Sequence, residues 1–143
     1  MKSLALIAHD NKKVDLLAWA TFNRDTLRRF ELIGTRNTAR LLERKVGLAV
    51  QALLSGPEGG DAQIAALAAV RRLDAVFFVI DPVSAQPHDP DIRALMRVCN
   101  VQNVPLATNL ATADLIVTAF TREPLAADDA LVGDPRCRIE PVE

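Results

Sequence analysis

The chain has 143 residues, of which 50% are hydrophobic and 24% charged, and its formal net charge is −1. This size is typical of one compact domain, and the near-zero charge argues against nucleic acid or anionic membranes as general partners. The longest apolar run, residues 75–80, is too short for a membrane helix, and residues 4–8 are too short for a signal-peptide core. We therefore expect a cytoplasmic protein whose two cysteines, Cys99 and Cys137, are reduced thiols.

Five short apolar runs alternate with longer segments in which apolar residues recur at helical spacing. The runs are residues 4–8, 32–33, 48–54, 75–80 and 105–107. The helical faces predicted to cover the sheet are Val14, Leu17, Ala18 and Thr21; Ile64, Leu67, Ala68 and Val70; and Ile92, Leu95, Met96 and Cys99. This alternation predicts a doubly wound α/β fold, with a mainly parallel five-stranded sheet and helices on both faces. We assign residues 1–120 to this domain and 121–143 to a C-terminal tail, expected to pack on the domain or on a neighbouring subunit.

Polar residues follow four consecutive predicted strands. In chain order they are His9 and Asp10, Gly34 and Thr35, residues 55–61, and Asp81 with Pro82. Another polar cluster, residues 87–91, precedes a predicted helix, and Thr108 with Asn109 follows the last run. Doubly wound sheets bind ligands at the carboxyl ends of their strands, so we predict the functional site at this edge.

Residues 54–61, Leu-Ser-Gly-Pro-Glu-Gly-Gly-Asp, contain three glycines and a serine and end in the carboxylate of Asp61. Glycines let backbone N–H groups approach a phosphate closely, and a helix that begins near Asp61 would add its positive dipole end. The segment therefore suits an oxyanion beside a base. A simple turn between a strand and a helix is the alternative interpretation.

Four aspartates, Asp10, Asp61, Asp81 and Asp91, would share this edge with both histidines of the chain, His9 and His88. Mutual repulsion and burial can separate carboxylate pKa values into an acid and a base, and either histidine could move a proton or polarise a carbonyl. The alternative is that each histidine is structural or merely solvated.

Lys13, Thr35 and Ser55 supply a cation and two hydroxyl groups, which suit a phosphate ester. Lys13 as a solvated helix residue and Thr35 as a helix cap are the competing interpretations. The chain has no GxxxxGK, HExxH or paired-cysteine motif, so metal-free acid–base chemistry without a cofactor fits best. Mg²⁺ or Mn²⁺ held by the carboxylates is a weaker alternative.

Several of these segments together resemble the methylglyoxal synthase family over residues 4–118. They are Leu-Ile-Ala-His-Asp at 6–10 with Lys13, residues 53–61, Asp-Pro at 81–82, Pro-His-Asp-Pro-Asp at 87–91 and Pro-Leu-Ala-Thr-Asn at 105–109. The resemblance implies a homohexamer of doubly wound α/β subunits. It also implies conversion of dihydroxyacetone phosphate to methylglyoxal and inorganic phosphate, without a metal.

The resemblance also implies roles for individual residues. Asp61 would be the base that forms an ene-diol phosphate, and His88 would stabilise and protonate the enediolate oxygens. Asp10, Asp81 and Asp91 match further acidic positions, with Asp91 supporting proton transfer, and His9 lies beside the substrate. The positions that match phosphate-binding ones are Lys13, Thr35, Ser55 and Gly56.

One segment departs from the family pattern. Where the family usually has Thr-Gly-Thr-Thr-Gly, this chain has Ile33-Gly34-Thr35-Arg36-Asn37. Arg36 either replaces the missing donors with a bidentate phosphate contact or obstructs the pocket, and Thr38 is a second candidate for compensation. If the site is obstructed, the alternative function is a regulatory module of the same fold that binds phosphorylated metabolites without turnover.

Overall fold

The computed structural model describes residues 1–122. The strands are β1 (Ser3–Ala8), β2 (Glu31–Gly34), β3 (Val50–Ala52), β4 (Ala75–Val79) and β5 (Leu106–Ala107). The α-helices are α1 (Lys13–Phe22), α2 (Arg24–Leu27), α3 (Arg36–Leu41), α4 (Gly60–Ala69), α5 (Asp89–Gln102) and α6 (Leu110–Thr121). A 3₁₀ turn, Asp10–Lys12, precedes α1, and a π-helical turn, Leu42–Val46, continues α3. The predicted tail lies outside the described residues, except for Thr121 and Arg122.

The five strands form one sheet in the order β3-β2-β1-β4-β5, and every described pairing is parallel. Strand β1 is buried on both faces because alternate side chains enter two separate cores. Leu4 and Leu6 pack in the core that contains residues of α1, α3 and α6, whereas Ala5 and Ile7 pack with residues of α4 and α5. The predicted doubly wound architecture is confirmed.

The predicted buried face of α1 is wrong. Leu16 and Ala20 are buried, whereas Val14 is 75% exposed and Thr21 is also exposed. Apolar side chains surround nearly the whole helix, so spacing alone does not decide which side faces the sheet. In the structure, α1 turns Leu16 and Ala20 toward the core, and Trp19 beside them is partly buried.

Three smaller differences concern Val70, Met96 and the length of the third strand. Val70 lies just beyond α4 and is 65% exposed, and Met96 lies at the margin of the buried face of α5. The predicted third strand, residues 48–54, is shorter in the structure, at Val50–Ala52, although the Leu53 N–H still donates to the Gly34 carbonyl at 2.8 Å. The next N–H, that of Leu54, donates to the Gln63 side chain at 2.8 Å, outside the sheet.

Gly60 allows α4 to begin directly against the end of the third strand. A Cβ at this position would lie 2.1 Å from the Leu54 carbonyl oxygen and 2.9 Å from Thr35 Cγ2. The helix therefore needs glycine here for close packing. Gly47 is needed for another reason, since it ends the π-helical turn with φ +75° and has open space around it.

We expect Gly60→Ala to lower the free energy of unfolding by about 3 kcal/mol or more, because backbone atoms have to move. Gly47→Ala is the matched control, and its left-handed φ alone costs about 1–2 kcal/mol. Urea denaturation of both variants measures the difference. An equal, mild effect of the two substitutions would show that α4 can shift away from Leu54 at little cost.

Candidate active site

A polar cavity of about 140 Å³ lies at the carboxyl ends of the strands, where the direction of winding reverses between β1 and β4. The backbone N–H of His9 donates to the Val79 carbonyl at 3.1 Å, so the segments that follow these two strands stay close together. The lining residues are Ile7, Ala8, His9, Asp10, Lys13, Thr35, Asn37, Ser55, Gly56, Pro57, Asp61, Gln86 and His88. Eight of the twelve predicted site residues are among them.

Asp61 is the most unusual group in the cavity. It lies in the first turn of α4, its side chain is fully buried, and neither carboxylate oxygen has a hydrogen-bond partner among the described residues. Burial raises the pKa of Asp61, the positive charge of a protonated His88 opposes this, and the negative charge of Asp91 adds to it. Such a carboxylate is poorly solvated when ionised, which makes it a stronger base than a surface aspartate.

His88 faces Asp61 from the residue before α5. Its Nε2 lies 3.2 Å from Asp61 Oδ2, and its side chain is 10% exposed. Gly56 allows this approach, since a Cβ there would lie 3.0 Å from His88 Nε2. His88 and Asp61 are therefore a close acid–base pair beside the glycine-rich segment.

His9 enters the cavity from the end of β1. Its Nδ1 accepts a hydrogen bond from the Asp81 N–H at 2.8 Å. Its buried Nε2 has no hydrogen-bond partner within residues 1–122. Burial, reinforced by the positive charge of His88, lowers the pKa of His9. A neutral imidazole that accepts at Nδ1 carries its proton on Nε2, so His9 is a hydrogen-bond donor without a charge.

The cationic and hydroxylated part of the cavity is formed by Lys13, Thr35 and Ser55. Lys13 Nζ pairs with Asp10, whose side chain is 91% exposed, and this contact lowers the pKa of Asp10. Thr35 occupies the N-cap position of α3, but no side chain in the described part of the chain caps that end. The first-turn amides of α3 therefore add to the positive potential beside Lys13.

The other four predicted site residues do not line the cavity. Arg36 Nη1 pairs with Glu58 Oε2 at 3.2 Å, so its guanidinium group does not obstruct the pocket. Thr38 is buried behind Thr35, with the two hydroxyl oxygens 3.3 Å apart. Asp91 is half-buried in the first turn of α5.

Asp81 is the fourth of these residues. Its carboxylate accepts from Asn11 Nδ2 and from the Val83 N–H, both at 3.0 Å, and from the Ser84 N–H at 3.4 Å. These hydrogen bonds, led by that from Val83, lower the pKa of Asp81 to about 2. The carboxylate therefore stays ionised within its own loop.

Two polar residues of the lining, Asn37 and Gln86, were not predicted from the sequence. Asn37 follows Arg36 on α3, and its signal was its position in the segment that departs from the family pattern. Gln86 lies before Pro87 in a loop without periodicity, so nothing in the sequence singled it out. Within residues 1–122, no three His, Cys, Asp or Glu side chains cluster in an arrangement suited to a metal ion. No helix in that range combines the length and apolarity needed to span a membrane.

This fold and cavity define a doubly wound α/β protein with a polar cavity at its switch point, the place where such folds bind small ligands. The family model described as MGS-like domain matches residues 15–108. The chain is similar to methylglyoxal synthase of Ralstonia nicotianae, with 53% identity over 119 residues, covering 83% of this chain and 88% of that protein. It is 50% identical over 117 residues to methylglyoxal synthase of Thermus thermophilus, covering 82% of this chain and 93% of that protein.

A solved structure agrees with these relatives. The crystal structure of methylglyoxal synthase from Elizabethkingia anophelis matches with a TM-score of 0.79 and 40% sequence identity, covering 93% of this chain and 91% of that one. The chain belongs to the methylglyoxal synthase family, which is a family of lyases. The resemblance noted from the sequence is confirmed, whereas the roles of individual residues stay predictions.

The burial of Asp61 predicts a pH-dependent gain of stability in Asp61→Asn. Because the pKa of Asp61 is raised on folding, the folded protein binds this proton more tightly than the unfolded chain. The destabilisation is therefore fully present above the folded pKa, and it is lost as the pH falls below the unfolded value of about 4. We expect Asp61→Asn to raise the free energy of unfolding by about 1 kcal/mol at pH 8 and by much less near pH 4.

Urea denaturation at several pH values measures this difference. Asp25→Asn is the control, because the Asp25 side chain is 89% exposed and should change stability by less than about 0.5 kcal/mol. A variant at position 61 that is no more stable than the wild type at pH 8 would mean that the buried carboxylate carries no net penalty.

Proposed function

We propose that the protein is a methylglyoxal synthase that converts dihydroxyacetone phosphate to methylglyoxal and inorganic phosphate without a metal ion. The observation that carries this proposal is the buried Asp61 carboxylate, which has no hydrogen-bond partner among the described residues and lies 3.2 Å from His88. A base of this kind beside a hydrogen-bond donor is what proton abstraction next to a carbonyl requires. Membership of the family supports the choice of substrate.

Asp61 takes a proton from the carbon that bears the substrate hydroxyl group. The C–H electron pair becomes the carbon–carbon double bond of an enediolate, and the former carbonyl oxygen takes the negative charge. His88 and the neutral His9 donate hydrogen bonds to the enediolate oxygens, and His88 supplies a proton there. Both histidines line the same cavity, with ring centroids 6.0 Å apart.

Loss of phosphate completes the reaction. The hydroxyl proton of the ene-diol leaves, the double bond moves toward the carbon that carries the phosphate, and the C–O bond breaks with its electron pair on phosphate. The enol that remains becomes methylglyoxal by moving one proton from oxygen to carbon. Asp91 supports these proton transfers through its negative charge near Asp61, and Asp10 does so at the mouth of the cavity. This assignment is supported by the effect of Asp91 on Asp61 and by the exposure of Asp10.

The phosphate group is bound by Lys13, Thr35, Ser55 and the backbone of Gly56. The support for this assignment is their common position in the cavity lining and the first turn of α3, which has no side-chain cap within residues 1–122. A cation, two hydroxyl groups and a helix N-terminus satisfy a phosphate dianion without a metal. Thr38 contributes indirectly by supporting the Thr35 hydroxyl.

Arg36 acts through the loop that carries Ser55 and Gly56. Its backbone N–H donates to the Leu54 carbonyl at 3.3 Å, and its side chain pairs with Glu58 in the same loop. Arg36 thus ties the first turn of α3 to the segment that faces the phosphate. In this way it replaces the threonine usual in the family by stiffening the cradle instead of contacting the anion.

The homohexamer and the cytoplasmic location implied by the sequence remain part of this proposal. Several large apolar side chains on the surface are consistent with subunit contacts, among them Phe22, which is 88% exposed, and Leu115, which is 71% exposed.

The activity is tested by incubating purified protein with dihydroxyacetone phosphate and a chelator, and following methylglyoxal and phosphate together. We expect equal amounts of both products, and a fall in kcat of at least about 1,000-fold in Asp61→Asn, because the base is lost. Inorganic phosphate should still bind to that variant, since Lys13 and Thr35 are unchanged. Asp25→Asn, the same substitution at an exposed position, is the control and should keep wild-type activity. Phosphate binding with no turnover by the wild type would instead support a regulatory module without catalysis.

A double-mutant cycle on Arg36→Ala and Glu58→Ala tests the role of the ion pair. If Arg36 acts only by holding Glu58, each single variant should raise KM by about threefold, as expected for an exposed pair, and the double variant should be no worse. Steady-state kinetics and phosphate inhibition constants measure this. A much larger effect of Arg36→Ala than of Glu58→Ala would indicate direct contact between the guanidinium group and phosphate.

A further inference from the structure

We infer that Asp81 is a positioning residue for His9 and not a ligand of the substrate: by anchoring the turn at residues 81–84, it holds its own N–H against His9 Nδ1. The arrangement of hydrogen bonds stands independently of the reaction. Its consequence for catalysis rests on the function proposed above.

The carboxylate of Asp81 is fully engaged within its loop. Oδ1 accepts from the Val83 N–H at 3.0 Å and from the Ser84 N–H at 3.4 Å, which is the pattern of an aspartate that closes a turn. Oδ2 accepts from Asn11 Nδ2 at 3.0 Å, which ties this turn to the 3₁₀ turn after β1. With both oxygens occupied and no position in the cavity lining, Asp81 is better placed to hold backbone than to bind an anion.

The backbone N–H of Asp81 determines which ring nitrogen of His9 carries the proton. The Asp81 N–H is a donor and cannot accept, so His9 Nδ1 has to be the unprotonated, accepting nitrogen at the observed 2.8 Å. The proton of the neutral ring is then on Nε2, which is buried and has no other partner in the described part of the chain. The turn therefore keeps one donor free for a ligand in the cavity.

This arrangement favours a hydrogen bond to an oxygen that gains negative charge, because the donor is present before the substrate arrives. If the turn relaxed, the N–H would move away from Nδ1. Nδ1 could then take a proton, and the ring could rotate or become cationic. Asp81 thus acts on the reaction through His9, in the way that partners of catalytic histidines fix the tautomer of the ring.

The tautomer is measured directly by ¹⁵N NMR of the imidazole nitrogens in the free protein. The chain has two histidines, so a His88→Asn variant assigns both sets of signals. We expect wild-type His9 in one neutral form, with the proton on Nε2. Asp81→Ala should populate forms protonated at Nδ1. Asp81→Asn keeps an oxygen that accepts from the Val83 and Ser84 amides, and it should therefore restore the wild-type form.

The kinetic counterpart is a fall in kcat of about tenfold in Asp81→Ala, with KM within about twofold and with rescue in Asp81→Asn. A residue that binds substrate would instead raise KM. The ¹⁵N signals of His88 serve as an internal control, since a general disturbance of the cavity would change them too. Asp25→Ala is the control for loss of a carboxylate elsewhere.

Two results would overturn the inference: wild-type His9 protonated at Nδ1, or an unchanged tautomer in Asp81→Ala. If Asp81→Ala does not fold, Asn11→Ala is used in its place, because it removes the hydrogen bond that ties Asp81 Oδ2 to the 3₁₀ turn after β1. An unchanged, single Nε2-protonated form of His9 in Asn11→Ala would then count against the inference. If the tautomer changes as expected while the wild type shows no turnover, the proposed reaction fails and the positioning role of Asp81 stands.

Discussion

The structure around the cavity depends on the burial of one carboxylate without hydrogen-bond partners among the described residues. An ionised Asp61 in this position is unfavourable, and a chain free to relax would expose the group to water or supply it with amides. It is held because Gly60 packs against the Leu54 carbonyl and because Ile64 and Ala68 fix α4 on the sheet. The stability of the α/β core therefore sustains a local arrangement that is unfavourable by itself.

The rest of the cavity follows from how the sheet is wound. Strands β1 and β4 are hydrogen-bonded neighbours, but their following segments lead to different sides of the molecule. The gap between those segments is where a ligand fits, and it is why His9 and Asp81 meet although 72 residues separate them in sequence. The parallel sheet thus places His9 directly after β1, beside the segment after β4 that carries Asp81 and His88.

Much of this could be predicted from the sequence, since the responsible signals are local. Short apolar runs bounded by polar residues located all five strands, and the order of motifs placed Asp61, His88 and Lys13 at one edge. The buried side of α1 was not predictable, because a helix with Trp19 and Leu16 on one side and Val14 on another has no unique apolar face. Its orientation is chosen by packing against Phe77, whose ring lies 5.9 Å from that of Trp19.

Arg36 and Asp81 show a second limit of sequence-based prediction. A residue type and its neighbours indicate that a charged group is near the site, but not which partner it satisfies there. Glu58 lies 22 residues from Arg36, and Asn11 lies 70 residues from Asp81, so neither pairing has a local signal. Neither side chain lines the cavity: that of Arg36 pairs with the Glu58 carboxylate, and that of Asp81 accepts from backbone N–H groups and from Asn11.

The two histidines have different environments in one small space, and this difference suits a division of roles. Burial lowers the pKa of His9, whose Nδ1 accepts from the Asp81 N–H, whereas His88 lies against a carboxylate and has an unpartnered Nδ1 within the described residues. A neutral donor stabilises developing charge without giving up its proton, while a ring next to a base can exchange a proton with its surroundings. If both rings were free to become cationic 6.0 Å apart, their mutual repulsion would weaken this arrangement. The backbone donor at Asp81 removes that conflict by occupying the nitrogen at which His9 would take a second proton.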